Sequence, residues 1–162
     1  MAQSNKVEGT IIKDFGATFK VERPDVVTDT TATFKLILDV ASSADDRDVL
    51  NKNIETAARF LNMHTDAGMS KEQLIVAMTI HGGAWQDVLT DEAYTEKYGI
   101  PNPNTALINA LAKQDVEIIL CGQTAGARGL DRNNVNSNVK FALSAMTALI
   151  QYQNKGYTFI KF

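Results

Sequence analysis

The chain is short of the residues that mark several protein classes. Among its 162 residues it has one cysteine, Cys121. That excludes an internal disulfide framework and any zinc or iron–sulfur site built on several thiolates. Two histidines add too little for a metal centre, so no metal ligands and no cofactor are assigned. The longest unbroken aliphatic run is Leu74–Met78, far short of the roughly 20 residues of a membrane-spanning helix. Lys and Arg number 16 against 19 Asp and Glu, a net charge of −3, and no basic stripe offsets this. The electrostatic footprint of a general nucleic-acid binder is therefore missing. With 44% hydrophobic and 22% charged residues, the balance is that of a folded globular protein, and the length fits one domain.

Five nearly continuous apolar runs stand out: Phe34–Val40, Leu74–Ile80, Val116–Cys121, Val139–Ser144 and Tyr157–Phe162. Strands buried on both faces read this way, as in parallel sheets. Helical patterns separate them. Between Asp46 and Asp66, Leu50, Ile54, Ala57, Ala58 and Leu61 share a helical face, with Ser43 or Asp45 as candidate caps and Gly68 at the stop. Further helices are expected over Gln86–Lys97, after Asn104 as N-cap, and over Ala145–Lys155 with Met146, Leu149 and Ile150 inward. The alternation predicts an α/β sandwich with about five parallel strands. Residues 1–33 read as an extension. Within it, residues 9–23 predict a hairpin turning near Asp14-Phe15-Gly16, and residues 34–162 form the α/β domain. The polar opening Met1–Lys6 lacks the apolar stretch of a signal peptide, but a mature exported chain with an added Met1 would read the same. The compartment stays open between the cytoplasm and the periplasm.

In open α/β sheets, ligands gather at the carboxyl ends of the strands. His81-Gly82-Gly83-Ala84-Trp85 follows the second run directly, and its glycines permit positive φ and close backbone approach to an anion. No serine has the flanks of a Gly-x-Ser-x-Gly elbow, so a serine hydrolase is set aside. Cys121 closes the third run and opens the glycine-rich stretch Gly122–Gly129, which matches neither a dinucleotide fingerprint nor a P-loop. A free cysteine is usually a small buried apolar group. Its place at a strand end, the room above Gly122, and a following turn whose amides would face a thiolate all favour reactivity. Arg128 is a candidate source of positive charge. His64 reads as structural. Asp131–Asn136 reads as a solvated loop, because Val135 stands where a calcium ligand is required.

Several stretches together resemble the DsrE/DsrF-like family, associated with intracellular sulfur oxidation. They are Phe34–Val40, Ala58–His64, Ile80–Ala84, Asn102-Pro103-Asn104, Cys121-Gly122-Gln123, Ser144–Ala148 and Gly156-Tyr157. The resemblance covers residues 34–162, and the Gly16-containing lead is similar to a single-domain branch. It implies a three-layer α/β/α sandwich with a five-stranded parallel sheet, assembly into trimers or hexamers, and a cysteine at position 121 that carries sulfur as a persulfide between donor and acceptor proteins. On that reading Cys121 and His81 are the catalytic pair, and Gly82, Gly83, Gly122, Gln123 and Arg128 surround them. The alternatives are a non-catalytic binding module, in which His81, Trp85, Asn102, Asn104 and Gln123 line a pocket for a small polar ligand and Cys121 is only wall, and a purely structural homo-oligomer.

Overall fold

A computed structural model describes residues 6–162. The five apolar runs become β3 (Phe34–Val40), β4 (Leu74–Ile80), β5 (Glu117–Cys121), β6 (Val139–Ala142) and β7 (Thr158–Ile160), each preceded in the chain by β1 (Lys6–Val7) and β2 (Thr18–Phe19). The large sheet is parallel throughout, in the order β6-β5-β4-β3-β7. The helices are α1 (Lys52–Asp66), α2 (Asp91–Tyr98), α3 (Thr105–Ala112), α4 (Gly122–Ala127) and α5 (Ala145–Asn154).

Strand alternation sorts the sheet into two faces. Leu36, Leu38 and Val40 of β3, Met78 and Ile80 of β4, and Ile118 and Leu120 of β5 pack into one core with Ile54 and Leu61 of α1 and Leu107 and Leu111 of α3. Ile37, Ala77, Thr79 and Ile119 are buried on the opposite face, where α5 crosses the sheet. Connections that step from β3 through β6 move one way along the sheet, and the connection from β6 to β7 moves back. A right-handed crossover requires the reversed step to pass over the opposite face, and among the described residues α5 is the helix that covers it.

The elements depart from the sequence reading in four places. Helix α1 starts at Lys52 rather than near Asp46, and its N-cap is Asn51, whose side chain accepts from the Asn53 amide. The expected helix over Gln86–Lys97 is broken. Residues Gly82–Val88 form 3-10 turns, and α2 begins only after Thr90, whose hydroxyl caps the Ala93 amide. Helix α5 is rotated from the expected register. Ala145 and Ala148 face the sheet while Met146 and Ile150 are 72% and 59% exposed. The small alanines let the helix approach the sheet closely, which the larger side chains would prevent. The N-terminal hairpin exists, but its strands are Lys6–Val7 and Thr18–Phe19, paired antiparallel.

The stretch from Gly9 to Gly16 is a loop rather than a strand, and one side chain explains why. Asn62 of α1 is fully buried beneath it. Its Oδ1 accepts from the amides of Ile11 and Ile12, and its Nδ2 donates to the carbonyls of Ile12, Phe15 and Gly16. These bonds do the work a strand partner would do. A Cβ at Gly9 would lie 1.8 Å from Asn62 Nδ2, so the loop also needs glycine there. Ile12 is thereby pressed into the main core. Replacing Asn62 with Ala strands several buried amides and carbonyls and costs about 2–4 kcal/mol. Denaturant unfolding will show a lowered midpoint, and trypsin will cut after Lys13 in Asn62→Ala faster than in the parent.

Candidate functional site

Register brings three strand ends level. Val40 pairs with Ile80, and Ile80 with Leu120, so His81 and Cys121 leave adjacent strands side by side. Alternation puts both on the α5 face, the face that also carries Asp39 and Thr79.

Cys121 is 6% exposed. It is the N-cap of α4, and the chain passes directly over the end of β6 after it. A Cβ at Gly122 would stand 2.6 Å from the Ala142 carbonyl, so glycine is required by contact there. Burial pushes the Cys121 thiol up. The amide and hydroxyl of Thr124, with the amides of Ala145 and Gln123, more than offset this, and the thiol lies below its ordinary value. The sulfur therefore sits where the starts of α4 and α5 converge, among donors that favour the thiolate. Ser144 holds the α5 end of this arrangement, accepting from the Thr147 amide as N-cap.

His81 turns away toward β3. Its Nε2 lies 2.7 Å from Asp39 Oδ1, which also accepts from Thr79 Oγ1 at 3.0 Å, and Lys161 Nζ sits 2.9 Å from Asp39 Oδ2. Burial raises the Asp39 pKa, but bonds from Lys161, Thr79 and His81 prevail and hold the carboxyl below its ordinary value. The expectation that His81 serves the thiol meets a ring already bonded to a carboxylate on its other side. Asp39 and Lys161 are functional candidates that motif reading missed. The signal for Asp39 was present: an acid inside the apolar run Phe34–Val40.

The glycines after His81 shape a turn against the β3 exit. Gly82 has φ +54, its Cβ position lies 2.7 Å from the Ala41 carbonyl, and the Gly83 amide donates to that same carbonyl at 2.7 Å. The Gly83 amide is thereby committed to the backbone. Trp85 is buried, with Arg128 and Lys97 stacked on its ring at 5.5 and 5.4 Å. Arg128 thus serves Trp85 rather than the sulfur. Gln123 is exposed and donates to the Leu143 carbonyl.

Asn102 and Asn104, expected on a pocket wall, are buried and spent internally. Asn102 Nδ2 donates to the carbonyls of Asp87 and Leu89. Asn104 occupies the α3 cap position, but its Oδ1 accepts from the Asn51 amide and its Nδ2 reaches Asp87. Asp87, fully buried, also accepts from Ser43 Oγ and Asn51 Nδ2, both at 2.7 Å. Burial raises its pKa against these bonds. Of the sequence-assigned residues, the structure gathers Cys121, Gly122 and Gln123 with His81 level beside them. It places Asn102, Asn104, Trp85 and Arg128 on the other side of the strand ends.

The chain belongs to the DsrE/DsrF-like family, whose model matches residues 35–162, and that family is associated in general with sulfur relay. Two solved structures share the fold. One is the protein of unknown function MTH1491 from Methanobacterium thermoautotrophicum, with TM-score 0.60 and 13% identity over 80% of this chain and 99% of that one. The other is the ychN protein from E. coli, with TM-score 0.57 and 14% identity over 80% of this chain and all of that one. A comparison with curated proteins gives no match.

The Asp39 cluster has a pH signature. A carboxylate whose folded pKa lies below its unfolded value adds stability above the unfolded value and loses it as pH falls through the folded one. Thermal melts between about pH 5 and pH 3 will show the parent losing stability more steeply than Asp39→Asn, in which that proton uptake is absent.

Proposed function

We propose that the protein is a sulfur carrier that uses Cys121 alone. What carries this reading is the place of the one thiol: Cys121 ends β5 at the start of α4 and beside the start of α5, where nearby amides and the Thr124 hydroxyl hold it below its ordinary value despite burial. Family membership supports it. The thiolate attacks the outer sulfur of a donor persulfide R–S–SH, forming Cys121–S–SH and releasing R–S⁻. An acceptor thiolate then attacks the same outer sulfur, forming R′–S–SH and restoring Cys121–S⁻. No second thiol exists in the chain, so the persulfide waits for a partner. At 6% exposure Cys121 admits only a small sulfane sulfur or an acceptor thiol on a thin segment, and the same burial limits hydrolysis and oxidation of the waiting persulfide. His81 and Asp39 form the neighbouring wall and keep it polar.

A homo-oligomer belongs to the same proposal. Leu143, Met146 and Ile150 stand exposed on and just before α5, beside the segment that covers the sulfur. Apolar groups grouped in this way mark surfaces that another chain covers.

Treatment with inorganic polysulfide followed by intact-mass measurement tests the carrier chemistry. The expected result is a gain of one sulfur atom in the parent, reversed by reductant and lost in Cys121→Ser. An unchanged mass, with iodoacetamide labelling only after denaturation, overturns it. Light scattering that returns the mass of a single chain across a wide concentration range overturns the oligomer.

A further inference from the structure

Far from the cysteine, on the opposite face of the sheet, a groove of about 490 Å³ runs between α1 and the β7 edge. Its origin is topological. Helix α1 covers β3 and β4, no helix covers β7 on this side, and β7 is only three residues long. The floor is the even-numbered face of β3 and β7, with Leu36 and Leu38 beside Ile160. The α1 wall presents Phe60 and Met63. His64 stiffens this wall. Its Nδ1 lies 2.8 Å from the Phe60 carbonyl, which only accepts, so Nδ1 carries the proton, and the ring meets Phe34 edge-on at 5.3 Å.

Charge in the groove is one-sided. Lys35 and the exposed Arg59 line it and no acidic side chain does, but the Lys35 ammonium is spent on the Lys155 carbonyl at 3.1 Å, which leaves Arg59 as the cation open to a ligand. Among the described residues Arg59 makes no ion pair. A guanidinium with five donors and no carboxylate partner, set at the mouth of an apolar trench, complements an anion attached to an apolar body. The volume falls in the range of small-molecule pockets, roughly 300–1,000 Å³.

We infer that this groove binds an amphiphile with one anionic head, of the class of medium-chain carboxylates, its chain on the Leu36–Ile160 floor and its head at Arg59. The inference is independent of the sulfur chemistry, because the groove shares no residue with the Cys121 site.

Calorimetric titration with dodecanoate below its micellar concentration, and with dodecyltrimethylammonium as the same chain bearing the opposite charge, provides the test. Dodecanoate should bind saturably with one site per chain, and the cationic amphiphile should not. Arg59→Gln should weaken dodecanoate by about tenfold or more, as loss of a charge-assisted contact implies. Thr158→Trp, at an exposed position on the groove floor, should abolish binding while circular dichroism stays unchanged. Cys121→Ser should bind like the parent, which separates this site from the thiol. Equal binding of both amphiphiles, or an unchanged affinity in Arg59→Gln or in folded Thr158→Trp, overturns the inference. So does a lower mass by light scattering in Thr158→Trp, which would show that a second copy of the chain fills the groove.

Discussion

Asp87 presents both carboxylate oxygens to donors from two neighbouring loops, through Ser43 and Asn51 on one side and Asn104 on the other, while its own carbonyl receives Asn102. Burying a carboxylate costs several kcal/mol unless its lone pairs are filled, so each of these partners is held in place by the same requirement. The consequences spread outward. Asn51 is fixed where it caps α1, Asn104 is fixed where α3 begins, and the glycine turn after His81 is clamped to the β3 exit. The carboxyl end of the sheet is therefore rigid on the α1 and α3 side before any chemistry is considered.

That rigidity frees the other side. On the α5 face the strand ends carry Asp39, His81 and Cys121, and the groups around them come from short, late segments of the chain: Thr124 after β5, Ala145 at the start of α5, and Lys161 after β7. The two sides divide the labour. One supplies a saturated asparagine and aspartate network, and the other supplies a buried carboxylate, a half-buried imidazole and a buried thiol. The pairing of His81 with Asp39 rather than with the sulfur means that the thiolate depends on backbone amides and one hydroxyl. These donors carry no charge that changes with pH, so their lowering of the thiol holds wherever the fold survives, while the thiol's own protonation still follows pH.

The strands were legible because burial on both faces leaves an unmistakable apolar run, and all five central ones appear where those runs lie. Helix α5 was found but turned the wrong way, since Met146 and Ile150 satisfy an inward stripe as well as Ala145 and Ala148 do. Only the closeness of the sheet decides for the alanines. Asn102 and Asn104, expected on a pocket wall, make their side-chain bonds inside the protein. A pair of asparagines before a helix carries the same letters whether it meets solvent or a buried carboxylate far away in sequence. Asp39 stands at a strand end in the sequence reading but has no role there, because its partner Lys161 lies at the other end of the chain. The loop over Asn62 likewise depends on a contact between distant residues that no local pattern encodes.

The sheet ends on both sides in strands much shorter than the pair at its centre: four residues in β6 and three in β7, against seven each in β3 and β4. An edge is where unpaired amides and carbonyls invite another backbone to add on, and a brief edge offers that invitation for barely one turn of pleat. Lys140 on β6, outward and paired with Glu117, adds a charge to one of them. Copies of this chain are therefore steered away from joining sheet to sheet into fibres. Brief edges leave side chains, rather than exposed backbone, as the means by which two copies can touch.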